Sequence, residues 1–191
     1  MEVLLSPIGF FSEDEVIMER KLILSIVIIT LLVLGGGTWL LTKQSTEEQA
    51  KLDKPLLGQE ISIQGRTHVP DGTRVDYSTN PPTSGNHYVK PQPAGIYDSA
   101  LPDGNLVHSL EHGAVILWYK SDLSATESAQ LKSIFDSVPV SKKIMTPRDS
   151  LDVPVALTSW GRLLKLQAID ENQIKTFMIT NEDRAPEKAP L

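Results

Sequence analysis

The chain has 191 residues, of which 18 are basic and 24 acidic, so its formal net charge is −6, and it has no cysteine. The missing cysteine excludes disulfides, thiolate zinc fingers, iron–sulfur clusters and cysteine nucleophiles. The modest acidity argues against a nucleic-acid partner, because a nucleic-acid-binding domain shows a basic patch. Histidines, carboxylates and hydroxyls are therefore left to carry any chemistry.

The first strong feature is an apolar run over residues 22–41, LILSIVIITLLVLGGGTWLL, which carries no charge. As a helix, twenty residues would extend about 30 Å and match the hydrocarbon core of a bilayer. A buried core helix would have more polar interruptions. A cleaved signal peptide would have a shorter apolar stretch followed by a small-residue cleavage site. We therefore predict an uncleaved transmembrane anchor.

The flanks of this run predict its orientation. Arg20 and Lys21 directly precede it, which favours a cytoplasmic leader and places the rest of the chain on the extracytoplasmic side of the cell membrane. Met18 is an alternative start of translation. The division predicted for the chain is a leader over 1–21, a single-pass transmembrane helix over 22–41, a juxtamembrane linker over 42–54, an extracytoplasmic α+β domain over 55–187 and a disordered tail over 188–191.

The C-terminal half of the domain alternates strand and helix patterns. AVILWY at 114–119 predicts a strand buried on both faces, and Ser124 with Glu127 predicts a capping box at the start of an amphipathic helix from Thr126 to Val138. Further strands are predicted at 143–146, 155–160 and 163–166, and a last helix after Asp170. The fold class is α+β: a small mixed or antiparallel sheet with two packed helices, a long ordered loop and one preceding transmembrane helix.

That loop covers residues 67–105 and contains six prolines and several glycines without convincing periodicity. Long loops in compact domains are usually functional or disordered. Four apolar anchors favour order: Tyr77, Tyr88, Ile96 and Tyr97. We expect the loop to lie over one end of the sheet.

All four histidines of the chain, His68, His87, His108 and His112, fall within 45 residues. The spacing of four between the last two puts both imidazoles on one face of a helix or of a strand. The clustering predicts a metal site made of these four side chains, and imidazole ligands without thiolates suit zinc or oxidised copper. Glu111 is predicted to orient one of the rings from outside the ligand set.

Two enzymatic patterns are weaker. His108 to His112 fits the His-x-x-Glu-His pattern of inverted zinc peptidases, but that reading needs a long helix and a third ligand, for which Glu127 is the only suggestion. Ser84 lies in a rigid proline turn without a nucleophile elbow. An enzyme therefore ranks behind two other classes, a metal-binding module and a non-catalytic protein-binding or scaffold module whose histidines are purely structural.

Four ordered motifs resemble the bacterial family called domain of unknown function 3105. They are PPTSGNH at 81–87, GIY at 95–97, VHSLEHG at 107–113 and LTSWGR at 157–162. The similarity covers about 57–187, with Ser159 where the family would have alanine. The resemblance implies a membrane-tethered extracytoplasmic domain. The family brings no established reaction, so it assigns no catalytic residue, and no particular protein partner is indicated.

Overall fold

The computed structural model describes residues 13–191. The chain divides into two compact units, an N-terminal helical unit that ends at Lys51 and a folded unit over Leu52–Leu191. Most of the predicted leader, residues 1–12, lies outside the described residues. The two units are treated separately below.

The N-terminal unit is one helix, α1, over Glu13–Leu52. Its apolar side chains are exposed throughout the run over 22–41, and by length and composition the helix is able to cross a membrane. This is compatible with a single-pass membrane protein. The helix also continues through most of the segment predicted as a linker, because that segment is rich in Gln, Glu, Ala and Lys, which are good helix formers.

The folded unit contains eight strands and three helices in a mixed α+β arrangement. Its elements are β1 (Gln59–Glu60), β2 (His68–Val69), β3 (His87–Tyr88), β4 (Gly95–Ile96), α2 (Asp103–Glu111), β5 (Val115–Tyr119), α3 (Ala125–Ser137), β6 (Lys143–Pro147), β7 (Val155–Ser159), β8 (Arg162–Leu166) and α4 (Glu171–Asn181). Six strands form one sheet in the order β1-β8-β7-β5-β6-β4, and β2 pairs with β3 in a separate parallel sheet. The predicted fold class is confirmed.

The main sheet is mixed because β6 runs parallel to both β5 and β4, whereas β7 is antiparallel to β5 and β8. Strand β5 is central and buried on both faces. Val115 and Leu117 join one hydrophobic cluster, and Ile116 and Trp118 join the other. The prediction of a doubly buried strand is confirmed, and it explains why this strand reads as a continuous apolar run.

Helices cover both faces of the sheet. Helix α3 begins at a complete capping box between Ser124 and Glu127 and contributes Leu131, Ile134 and Phe135 to the same cluster as Leu117. Helix α4 adds apolar residues to that face, after an N-cap at Asp170. Both helices were predicted. Helix α3 begins and ends one residue before the predicted Thr126 and Val138, and α4 begins directly after the predicted cap at Asp170.

Helix α2 is a third packed helix that the sequence did not predict. It contributes Leu106 and Leu110 to the cluster on the opposite face of the sheet. Its amphipathic pattern is hidden because His108, Ser109 and Glu111 are buried beside its apolar residues. Three of the short strands, β2, β3 and β4, lie within the predicted loop, so that loop is ordered and partly paired.

Candidate metal centre

The end of helix α2 is fixed by its C-terminal turn. The backbone N–H of Gly113 donates to Leu110 O at 3.0 Å and that of Ala114 to Ser109 O at 2.9 Å. This is the Schellman pattern, and Gly113 has the positive φ of 92° that the pattern needs. The turn therefore places Glu111 and His112 side by side where the helix stops.

The β2–β3 pair presents two more histidines to this helix end. His68 and His87 are directly opposite each other in the parallel register. The ring centroids of His68, His87 and His108 form a near-equilateral triangle, with separations of 4.9, 4.7 and 4.8 Å. Three segments far apart in sequence thus bring their imidazoles together at one point.

Four side chains offer ligand atoms that all lie within 4.8 Å of one another: His68, His87, His108 and Glu111. His112 is outside this group, but its Nε2 lies 3.0 Å from Nε2 of His108. The structure therefore brings together all five residues that the sequence singled out. It puts Glu111, rather than His112, among the four closest.

The cluster is buried except at one corner. His87 is fully buried and Glu111 is 1 % exposed, whereas His68 is exposed. Burying polar and charged groups is costly unless they are hydrogen-bonded or bind an ion. The cluster therefore needs internal compensation, and the side of His68 faces solvent.

The Nδ1 atoms of three histidines bond backbone carbonyls. The pairs are His87 with Gly85 at 2.8 Å, His108 with Tyr88 at 2.7 Å and His112 with Pro190 at 2.9 Å. A carbonyl oxygen only accepts, so each Nδ1 must carry the hydrogen. In the neutral ring the Nε2 atom is then left with a lone pair, which is the form that binds metal.

Two of these lone pairs face other acceptors. Nε2 of His87 lies 2.9 Å from Oε2 of Glu111, yet this nitrogen has no hydrogen-bond partner among the described residues. Nε2 of His108 likewise faces Nε2 of His112. With neutral rings both contacts are repulsive. Each therefore calls for a cation between the two acceptors, either a metal ion or a proton.

The charges around the cluster also favour a cation. Nε of Arg66 donates to Oε1 of Glu111 at 2.8 Å, and its Nη2 donates to Oε1 of Glu187 at 3.3 Å. Oε2 of Glu187 lies 3.5 Å from Nε2 of His112. With neutral histidines, one guanidinium and two carboxylates leave a formal charge of −1. The negative end of the α2 dipole adds to this attraction.

Burial shifts the titration of the central ring. The pKa of His108 is lowered, chiefly because burial penalises the charged ring and further because His87, His112 and His68 lie nearby. The hydrogen bond to the Tyr88 carbonyl acts in the opposite direction. Lowering the pKa keeps His108 in the neutral, ligand form near neutral pH.

Sequence reasoning missed the residues that orient the cluster. These are Arg66, Glu187 and the carbonyls of Gly85, Tyr88 and Pro190. No local pattern links Glu187 or Pro190 to His112, because the chain returns to α2 only in the folded state.

The close packing of α2 on β3 also requires a glycine at position 104, since a Cβ there would lie 2.6 Å from the Tyr88 ring.

The two enzymatic patterns do not gain support. Helix α2 spans nine residues and ends at Glu111, so it is not the long helix of an inverted zinc peptidase. Glu127 is engaged in the α3 capping box. The Ser84 hydroxyl is buried and accepts the backbone N–H of Gln64 at 3.2 Å, a structural role.

The comparison with known proteins identifies a family. No curated protein and no solved structure matches the chain. A family model described as Protein of unknown function (DUF3105) matches residues 68–190. The matched region contains all four histidines together with Glu111 and Glu187. The chain therefore belongs to the DUF3105 family of proteins of unknown function.

Proposed function

We propose that the folded unit is a metal-binding module that holds one zinc or oxidised copper ion. The ligands are the imidazoles of His68, His87 and His108 and the Oε2 atom of Glu111. Three nitrogens and one carboxylate oxygen suit either ion. No reaction is proposed.

One observation carries the proposal. Nε2 of His87 is fully buried, lies 2.9 Å from a carboxylate oxygen and has no hydrogen-bond partner among the described residues. The competing account, a scaffold module with structural histidines, needs each ring nitrogen to be satisfied by hydrogen bonds. Nε2 of His87 makes no such bond, although the Glu111 carboxylate is near. A metal ion needs only the converging lone pairs.

The proposal assigns Glu111 and His112 differently from the sequence prediction. Oε1 of Glu111 is occupied by Arg66, while Oε2 is directed at His87, so the carboxylate has one oxygen for orientation and one for an ion. His112 reaches the group only through His108. We therefore place Glu111 in the ligand set and His112 next to it.

The test is a competition titration of the purified full chain with Zn²⁺ and Cu²⁺ against a chelator of known affinity. His68→Ala removes the exposed ligand and should leave the fold intact, and Glu111→Gln removes the carboxylate charge at constant size. Glu171→Gln is the matched control, because Glu171 lies in α4 and pairs with Lys175. We expect stoichiometric binding by the wild type and the control, and affinity at least about tenfold lower in both site variants.

Equal uptake by all four proteins would show surface binding and remove the site. No uptake by the wild type would support the scaffold account. Far-UV circular dichroism of each variant checks that a loss of binding is not a loss of fold.

The proposed location is the extracytoplasmic side of the cell membrane, with α1 as an uncleaved single-pass anchor. Support comes from the length and exposed apolar surface of α1 and from Arg20 and Lys21 before its apolar run. Protease added to intact cells should digest the folded unit. Full protection would overturn this orientation, and a mature protein that begins after residue 41 would show a signal sequence instead.

A further inference from the structure

His108 stands between two sets of ligand atoms. On one side are His68, His87 and Glu111, whose ligand atoms lie within 4.8 Å of its own. On the other side is Nε2 of His112, at 3.0 Å. Oε2 of Glu187 lies 3.5 Å from that His112 nitrogen.

Arg66 organises the two sides in the same way. Its guanidinium donates hydrogen bonds to Oε1 of Glu111 and to Oε1 of Glu187. The remaining oxygen of each carboxylate faces an Nε2 atom, that of His87 in the first case and that of His112 in the second. Each half therefore repeats one motif, a carboxylate oxygen beside an imidazole lone pair, and His108 is common to both.

One imidazole nitrogen has one lone pair, so it binds one ion at a time. Nδ1 of His108 is committed to the Tyr88 carbonyl, so only its Nε2 is available. The two halves consequently cannot both use His108 in a stable two-ion centre. They can use it one after the other.

The halves differ in their access to solvent. The side chains of His87 and Glu111 are 0 % and 1 % exposed, whereas those of His112 and Glu187 are 11 % and 40 % exposed. In the inner half His68 is also exposed, and the other three ligands are buried. The second half also has fewer ligand atoms, three counting His108, so its hold on an ion should be weaker. These are the properties of a transit position beside a tighter one that is buried except at His68.

We propose that His112 and Glu187 form an outer ion position, through which Zn²⁺ or Cu²⁺ enters and leaves the inner position by way of His108. This rests on the proposed function, and it makes the module one that exchanges its ion with a donor or acceptor rather than one that stores it. No bond other than metal–ligand bonds is made or broken, so the step requires no reductant or oxidant.

The C-terminal segment contributes Glu187 to the outer position and holds the ring of His112. The backbone N–H of Glu187 donates to Glu111 O at 3.1 Å, and that of Asp183 donates to Gly113 O at 2.8 Å, so the segment is bonded to the end of α2. The Pro190 carbonyl holds Nδ1 of His112. These bonds set the direction of both outer ligands and use no ligand atom of the inner position.

Exchange kinetics test the proposal separately from binding. Full-chain protein loaded with one Zn²⁺ is mixed with an excess of a chromophoric chelator, and the rate of zinc release is followed. Loading of the ion-free protein is followed by stopped flow. The variants are His112→Gln, which removes the imidazole lone pair at similar size, and Glu187→Gln. Glu171→Gln is again the control.

We expect equilibrium affinity for Zn²⁺ within about threefold of wild type in both variants, and loading and release rates that are both at least tenfold slower. A lost pathway changes both rates together, because affinity is their ratio. Unchanged rates in both variants would overturn the transit position while leaving the inner site in place. A loss of affinity as large as that of His68→Ala would make His112 or Glu187 a ligand of the inner ion and equally overturn it.

Discussion

Helices α2 and α3 lie in the same folded unit but bury side chains of different kinds. Helix α3 buries an apolar stripe of Leu131, Ile134 and Phe135 and keeps its polar residues in solvent. Helix α2 buries nearly its whole circumference, including His108, Ser109 and Glu111. The first helix stabilises the fold by removing apolar surface from water. The second buries two acceptor-to-acceptor contacts that oppose folding until a cation joins them.

This contrast indicates that the function of the folded unit lies around α2. Sites that act are commonly built at some cost to stability, whereas packing regions are not. If the contrast is correct, mutations around α3 change stability without changing metal affinity. Mutations around α2 change metal affinity and alter stability in ways that depend on the ion.

The largest expected effect is on the apolar side. Phe135 is 2 % exposed, so Phe135→Ala should lower the free energy of unfolding by about 3–5 kcal/mol. Zinc affinity of the folded protein should not change. Urea denaturation followed by tryptophan fluorescence measures the first quantity, and Phe135→Leu, which conserves most of the volume, is the control. A decrease in the free energy of unfolding of less than about 0.5 kcal/mol would mean that α3 does not pack on the sheet through Phe135.

The next effect tests the contact that positions His108. A Cβ at Gly104 would meet the Tyr88 ring at 2.6 Å, and the Tyr88 carbonyl holds Nδ1 of His108. Gly104→Ala should therefore cost about 1–3 kcal/mol through overpacking and also weaken zinc binding. In an exposed helix in water the same change is favourable by about 1 kcal/mol, so a cost at Gly104 reports the contact with Tyr88. Stability equal to wild type would contradict the close packing of α2 on β3.

A smaller effect has the opposite sign. Glu111→Gln replaces the carboxylate 2.9 Å from Nε2 of His87 with a neutral amide of the same size. Without metal, the variant should be more stable than wild type by about 1 kcal/mol, because a neutral amide no longer buries a negative charge against a lone pair. The ion pair to Arg66 contributes little against this, since Arg66 is half exposed. Thermal melts with chelator present measure the difference, and a clear destabilisation would favour the scaffold account.

The smallest effect concerns the start of α3. Ser124→Ala removes the hydroxyl that accepts the Glu127 N–H, and should cost about 0.5–1 kcal/mol with no change in zinc affinity. The pKa of Glu127 is lowered because its carboxylate accepts hydrogen bonds from the Ser124 hydroxyl and backbone N–H. A depressed pKa stabilises the fold above the unfolded pKa, and this contribution is lost as pH falls through the folded pKa. The difference between wild type and Ser124→Ala should therefore shrink in acid.

The sequence was informative where burial and polarity agree. The continuous apolar run over 114–119 predicted that β5 is buried on both faces, and the Ser124–Glu127 pair predicted the start of α3. It was less informative around α2, because a helix that buries histidine, serine and glutamate has no apolar stripe to recognise. The two-residue strands β1 to β4 are also too short to show a period.

The candidate site was predicted as a set of residues and not as an arrangement. The composition of the chain and the clustering of its four histidines selected the residues, since those are countable features. The direction of each Nε2 lone pair is set by the hydrogen bond from Nδ1 to a carbonyl, that of Gly85, Tyr88 or Pro190. The positions of these carbonyls depend on the backbone conformation of the folded chain. Arg66 and Glu187 were not predicted for the same reason.

The most direct test of the central claim is the tautomer and ligand state of the histidine rings. Because the chain has only four histidines, long-range ¹H–¹⁵N spectra of the ¹⁵N-histidine-labelled full chain report the cluster alone. We predict Nδ1–H tautomers for His87, His108 and His112 in the ion-free protein. One equivalent of Zn²⁺ should then shift the Nε2 resonances of His68, His87 and His108. Nε2–H tautomers, or spectra that do not change with Zn²⁺, would contradict the metal centre.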